Sequence, residues 1–103
     1  MTQELEQRFK NDAGKARLSL VPPEGIYAIA RVREYGISKY GDVDNWKKVE
    51  PKRYLDATLR HLFGCVEDLK AVDDESGLSH LAHALCNLDF IYSLVFEEER
   101  DVY

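Results

Sequence analysis

Three histidines, His61, His80 and His83, are the side chains in this sequence best suited to chemistry. Imidazole titrates near neutral pH and is the commonest metal ligand in proteins. His80 and His83 are three residues apart, and Asn87 follows four later. On a helix these three lie within about 60° of one another, on one face. His61 belongs to an earlier segment, where Ala57, Thr58, Gly64 and Cys65 share its face. Small residues around one polar residue leave room for a ligand, or for close helix packing. Asp73, Asp74 and Glu75 stand just before His80. Carboxylates suit a hard divalent cation, Mg2+ or Mn2+, and Mn2+ also tolerates imidazole. The same acids would serve equally to cap a helix, and a single histidine is commonly a hydrogen-bonded packing residue. Spacing leaves both roles open. Cys65 and Cys86 lack zinc-site spacing and read as packing residues.

Charge is segregated along the chain. Arg31 to Arg53 holds seven basic and four acidic residues, whereas Glu67 to Glu75 holds five acids and one lysine. Phosphates on the basic part and a metal on the acidic part would suit a nucleoside polyphosphate. A charged, solvated surface explains the same asymmetry. The net charge of -5 argues against a general binder of nucleic acid polymers, which needs a basic surface.

These side chains need elements to hold them. The 103 residues fit one domain, and 45% hydrophobic content excludes a disordered chain. No apolar run reaches the ~18 residues of a membrane span, and no N-terminal apolar region suggests secretion, so a cytoplasmic protein is expected. Residues 1–10 read as a flexible polar arm, residues 11–98 as one helical domain, and residues 99–103 as an acidic tail. Pro22-Pro23-Glu24 predicts a helix start, with the helix running to Tyr40. Its expected face is Ile26, Ile29, Ala30, Arg33, Ile37 and Tyr40, widened by Val32 and Tyr35. Pro51 predicts a second helix reaching Leu69, with a core stripe of Leu55, Leu59, Leu62, Val66 and Leu69. A third is predicted from Leu78 to Glu98, striped by Leu78, Leu81, Leu85, Leu88, Tyr92 and Val95. The fold class is therefore all-α, three main helices. The third helix is apolar nearly all round, which suggests that a second copy completes the bundle.

Several short stretches resemble one phage and bacterial family. They are Asp12-Ala13-Gly14-Lys15, Pro22-Pro23-Glu24, Tyr35-Gly36, Lys39-Tyr40-Gly41, Asn45-Trp46 and Arg60-His61-Leu62. The most specific is Asp73-x-Glu75-Ser76-Gly77-Leu78-x-His80-Leu81-x-His83-Ala84-x-Cys86-Asn87. The chain resembles the dATP/dGTP diphosphohydrolases, relatives of the MazG-like all-α NTP pyrophosphatases, over about Asn11 to Val95. The resemblance implies divalent-metal hydrolysis of purine deoxynucleoside triphosphates to monophosphates by a helical homo-oligomer. It carries over Asp73, Glu75, His80 and His83 as expected metal ligands, and His61 and Glu75 as expected catalytic groups. On that reading Lys39, Arg60 and Lys15 would neutralise phosphate oxygens. Trp46 or Tyr40 would stack on the base, with Asn45 or Asn87 hydrogen-bonding it. The family commonly has Gly-Glu where this chain has Leu69-Lys70. A lysine there repels a cation by like charge. The alternative is therefore a protein that binds a nucleotide, including a signalling nucleotide of host defence, without hydrolysing it.

Overall fold

The computed structural model describes residues 14–97. The expected arm, residues 1–10, and the expected tail, residues 99–103, lie outside them. Three helices and no strand are present among the described residues: α1 (Pro23–Tyr40), α2 (Pro51–Gly64) and α3 (His80–Val95). Short 3-10 turns occupy Leu18–Leu20 and Asn45–Lys48. The fold is all-α, as the sequence predicts. Among the described residues no helix is long and apolar enough to cross a membrane.

Local chemistry accounts for the helix ends. Pro23 and Pro51 each open a helix in the first turn, where a missing N–H costs no helical bond. Gly41 closes α1, its N–H donating to the Ile37 carbonyl at 2.7 Å. The Ser79 hydroxyl caps α3 by accepting the Ala82 N–H at 3.0 Å. The acidic run Asp73–Glu75 is therefore not the cap, and α3 starts two residues later than Leu78.

The second helix is shorter than predicted. It stops at Gly64 rather than Leu69, and the Cys65 N–H bonds back to the Leu62 carbonyl at 3.2 Å. The chain then turns, with the Ala71 N–H on the Asp68 carbonyl at 2.9 Å.

α3 packs against both α1 and α2, so it is the middle of the assembly. The buried centre is Val32 with Ala82 and Cys86, backed by Ala28, Ile29, Leu78 and Phe90. Cys65, Ala84 and Thr58 are also buried. The α1 face that meets α3 thus runs through Ala28, Ile29 and Val32, and Ile26 and Tyr40 stand exposed. Small residues make the closest contacts because they let backbones approach. The leucine stripes predicted as core are instead open. Leu55, Leu59 and Leu62 of α2 are 40–45% exposed, and Leu85, Leu88 and Tyr92 of α3 are 40–49% exposed. Val66 and Leu69, beyond the end of α2, are more exposed still.

Candidate functional site

With α3 in the middle, α1 and α2 form the walls of a cleft of about 480 Å³, and α3 is its floor. Tyr35 and Lys39 come from α1, Arg60 and His61 from α2, and His83, Cys86 and Asn87 from the floor. Asn45 and Trp46 enter from the 3-10 turn, and Asp73 and Glu75 from the loop before α3. Five residues that the resemblance assigns to substrate, Lys39, Asn45, Trp46, Arg60 and Asn87, thus line one cavity.

The loop is built to present its acids. Val72 and Ser79 form an isolated antiparallel bridge, and the Asp73 N–H donates to the Leu78 carbonyl at 2.8 Å. The Asp73 carboxylate accepts the Ser76 N–H at 2.9 Å, which fixes its direction. Gly77 takes φ +74°, a left-handed conformation that glycine adopts without a Cβ penalty. Its N–H returns to the Asp73 carbonyl at 2.8 Å, so the loop closes on itself.

The histidines meet across the α2–α3 contact. His61 Nδ1 and His80 Nδ1 are 2.9 Å apart, so one donates and the other accepts. The His61 and His83 rings stack with centroids 4.6 Å apart and an 8° angle between planes. His83 Nε2 is 2.7 Å from the Ser76 hydroxyl and 4.0 Å from the Asp73 carboxylate. Ligand atoms of His61, Asp73 and His80 all lie within 4.8 Å of one another. That donor set fits a divalent metal. It differs in membership from the set expected from sequence, since His61 joins Asp73 and His80 there. His83 is engaged by Ser76, and Glu75 is turned toward α1.

Glu75 is ion-paired with Lys39, with Tyr35 as a second hydrogen-bond partner. These partners, Lys39 first, hold its carboxyl below the usual carboxylate range, and the same pair raises Lys39. Asp73 is also lowered, chiefly by the Ser76 backbone N–H. Burial lowers both His61 and His83, and the neighbouring rings add to this at each. Both imidazoles are therefore neutral at pH 7, with both acids ionised. Tyr35 and Ser76 are the site contacts that sequence reasoning missed. Tyr35 and Lys39 are four apart on α1, so their shared face was readable. Ser76 reaches His83 from a loop, and no periodicity signals that.

Trp46 lines the cleft, yet its ring is stacked on Phe90 at 5.0 Å. The Tyr54 hydroxyl donates to the Trp46 carbonyl at 2.8 Å. The structure thus gives Trp46 a packing contact that anchors the 3-10 turn to α3. Lys15 and Lys70 are exposed and do not line the cleft. The Lys70 N–H instead closes a turn on the Asp68 carboxylate at 3.0 Å.

Comparison with known proteins bears on the same residues. The profile of the family described as "dATP/dGTP diphosphohydrolase, N-terminal" matches residues 5–101. A protein of Salmonella phage PMBT28 named dATP/dGTP diphosphohydrolase is 44% identical over 87 residues. That match covers 84% of this chain and 29% of the relative, so the chain spans less than a third of the relative's length. No solved structure matches. With most of the chain matched by that profile, including every residue that lines the cleft, this protein belongs to the N-terminal family of the dATP/dGTP diphosphohydrolases.

Proposed function

We propose that the cleft binds a purine deoxynucleoside triphosphate and that the protein hydrolyses it, with a divalent cation, to the monophosphate and pyrophosphate. The observation that carries this reading is the opposition of charges within one cavity. Lys39, Arg53 and Arg60 stand on the walls, and Asp73 with His61 stands at the loop end. The walls offer cationic partners to phosphate oxygens, and the loop end offers a seat for a cation. The relative's name, dATP/dGTP diphosphohydrolase, supports the choice of substrate.

In the proposed reaction a water oxygen bonds to the α-phosphorus. The bond from that phosphorus to the bridging oxygen breaks, and pyrophosphate leaves. His61, Asp73 and His80 would hold the cation, which when bound would supply charge neutralisation at phosphate and a more acidic water. Lys39 leaves Glu75 for a phosphate oxygen, and Arg60 takes another. Glu75, freed of its ion pair, regains basicity and accepts the water's proton. Asn45 and Asn87 orient the base by hydrogen bonds, having both donor and acceptor groups. The open leucine faces of α2 and α3 join two copies of the chain.

The test is incubation with a panel of purine and pyrimidine nucleotides and Mn2+, with products separated by chromatography. Loss of dATP or dGTP with equimolar monophosphate and pyrophosphate is expected. Nucleotide retained unchanged, and released only on denaturation, would establish binding without turnover and overturn the reading. Lys70, whose like charge was the ground for that alternative, is exposed and does not line the cleft.

A further inference from the structure

We propose that His61, Asp73 and His80 form a seat for one divalent transition metal, in preference to Mg2+, and that Gly64 is the positioning residue that keeps His80 in it. The inference deepens the reading of the cleft as a hydrolytic site and rests on it for its consequence in catalysis. Its geometry stands on α2, α3 and the loop between them.

The donor set decides the class of metal. Two imidazoles and one carboxylate meet within 4.8 Å. Mg2+ takes oxygen ligands almost exclusively, whereas Mn2+, Fe2+, Co2+ and Zn2+ accept imidazole with rising affinity toward the end of the series. A second carboxylate would shift the balance toward Mg2+. Glu75 is the nearest candidate by sequence, but its carboxylate is held by Lys39 and Tyr35 at the α1 wall. His83 is held by Ser76. The remaining pair is already matched. A metal about 2.0–2.1 Å from each of two imidazole nitrogens separates them by about 3.0–3.4 Å. The two Nδ1 atoms stand 2.9 Å apart, so a cation replacing the shared proton needs only a small opening.

Gly64 makes this arrangement possible. A Cβ built on Gly64 would meet three His80 ring atoms, Nε2, Cδ2 and Cε1, at 2.8 to 2.9 Å. Real Cβ atoms do not approach that closely, so any side chain at position 64 must move the ring or the backbone. Gly64 is also the last residue of α2, one turn beyond His61. The backbone that carries one proposed ligand thus sets the position of the other. Hydrogen-bonded partners that orient a metal-ligating histidine are worth about 10–100-fold in metal affinity, and Gly64 orients His80 by the space it leaves.

The test uses the metals alone, with no nucleotide present. Co2+ is titrated into the full chain and followed by its d–d absorption, with Mn2+ and Mg2+ as competitors. The expected result for wild type is one Co2+ per chain, displaced by Mn2+ at higher concentration and poorly by Mg2+. His80→Ala and His61→Ala should each abolish the spectrum. Gly64→Ala should weaken Co2+ binding at least ~10-fold and alter the bands, with helical circular dichroism unchanged. His83→Ala should keep the spectrum within a few-fold of wild-type affinity. Equal binding by wild type and Gly64→Ala would overturn the role of Gly64. Loss of the spectrum in His83→Ala, or no Co2+ binding by wild type, would overturn the seat. In a separate assay, hydrolysis of dGTP with Mg2+ by a chain that binds no Co2+ would overturn the seat and leave the hydrolysis standing with its cation held elsewhere.

Discussion

His61 and His83 lie ring against ring, and their burial favours the uncharged form of each. In the unfolded chain both would titrate near 6.5. A folded value below the unfolded one means that the unfolded state binds protons first as pH falls. Stability from this pair is therefore complete above about pH 6.5, declines as pH drops through that value, and levels off once the folded values are passed. Urea unfolding at pH 8, 6.5 and 5 should show the midpoint falling over that range, and a His61→Gln/His83→Gln double variant should flatten the fall. A wild-type midpoint unchanged down to pH 5 would contradict neutral burial of the rings. His80 and His83 were legible as a pair because imidazoles three apart share a helix face, whereas the approach of His61 comes from the packing of α2 on α3. The His83 partner Ser76 was not, because it reaches the ring from a loop whose path no spacing gives.

At the scale of elements, the start of α3 matters most for the site, because His80 is its first residue. Ser79 holds that turn through one hydroxyl-to-amide bond. Ser79→Ala should cost about 1 kcal/mol of stability, within the ordinary range for losing such a cap. Chemical denaturation of the variant and wild type checks this, and an unchanged midpoint would show that the antiparallel bridge at Ser79 suffices. The extent of α1 was readable to the residue, since proline opens it and glycine closes it. The end of α2 was not. Val66 and Leu69 continue the leucine spacing, and nothing local stops a helix before Lys70. At that end the His80 ring lies against Gly64, a contact between residues 16 apart that periodicity does not carry.

Over the whole molecule, the cleft exists because α1 and α2 both lean on α3 and scarcely on each other. That layout is tertiary, so the family resemblance pointed to Lys39, Asn45, Arg60 and Asn87 without showing that they face one cavity. The same layout leaves leucines of α2 and α3 open, and the centre is made of small side chains. Fully burying a leucine contributes roughly 1.5–3 kcal/mol, and these are already more than half buried, so a second copy would gain about half of that from each leucine it covers, against the cost of association. Light scattering at micromolar concentration should give twice the chain mass, and a monomer mass would remove the second copy from the reading. The two cysteines have a consequence of another kind. Both are buried, Cys86 completely beneath the cleft, and its thiol is pushed up to about 12 by burial. A thiolate is the species that alkylating reagents attack, so the folded chain should resist them. Each cysteine then reports the opening of its own surroundings: Cys65 the end of α2, Cys86 the floor of the cleft. Timed alkylation read by mass spectrometry would separate the two, and a ligand in the cleft should slow Cys86 more than Cys65.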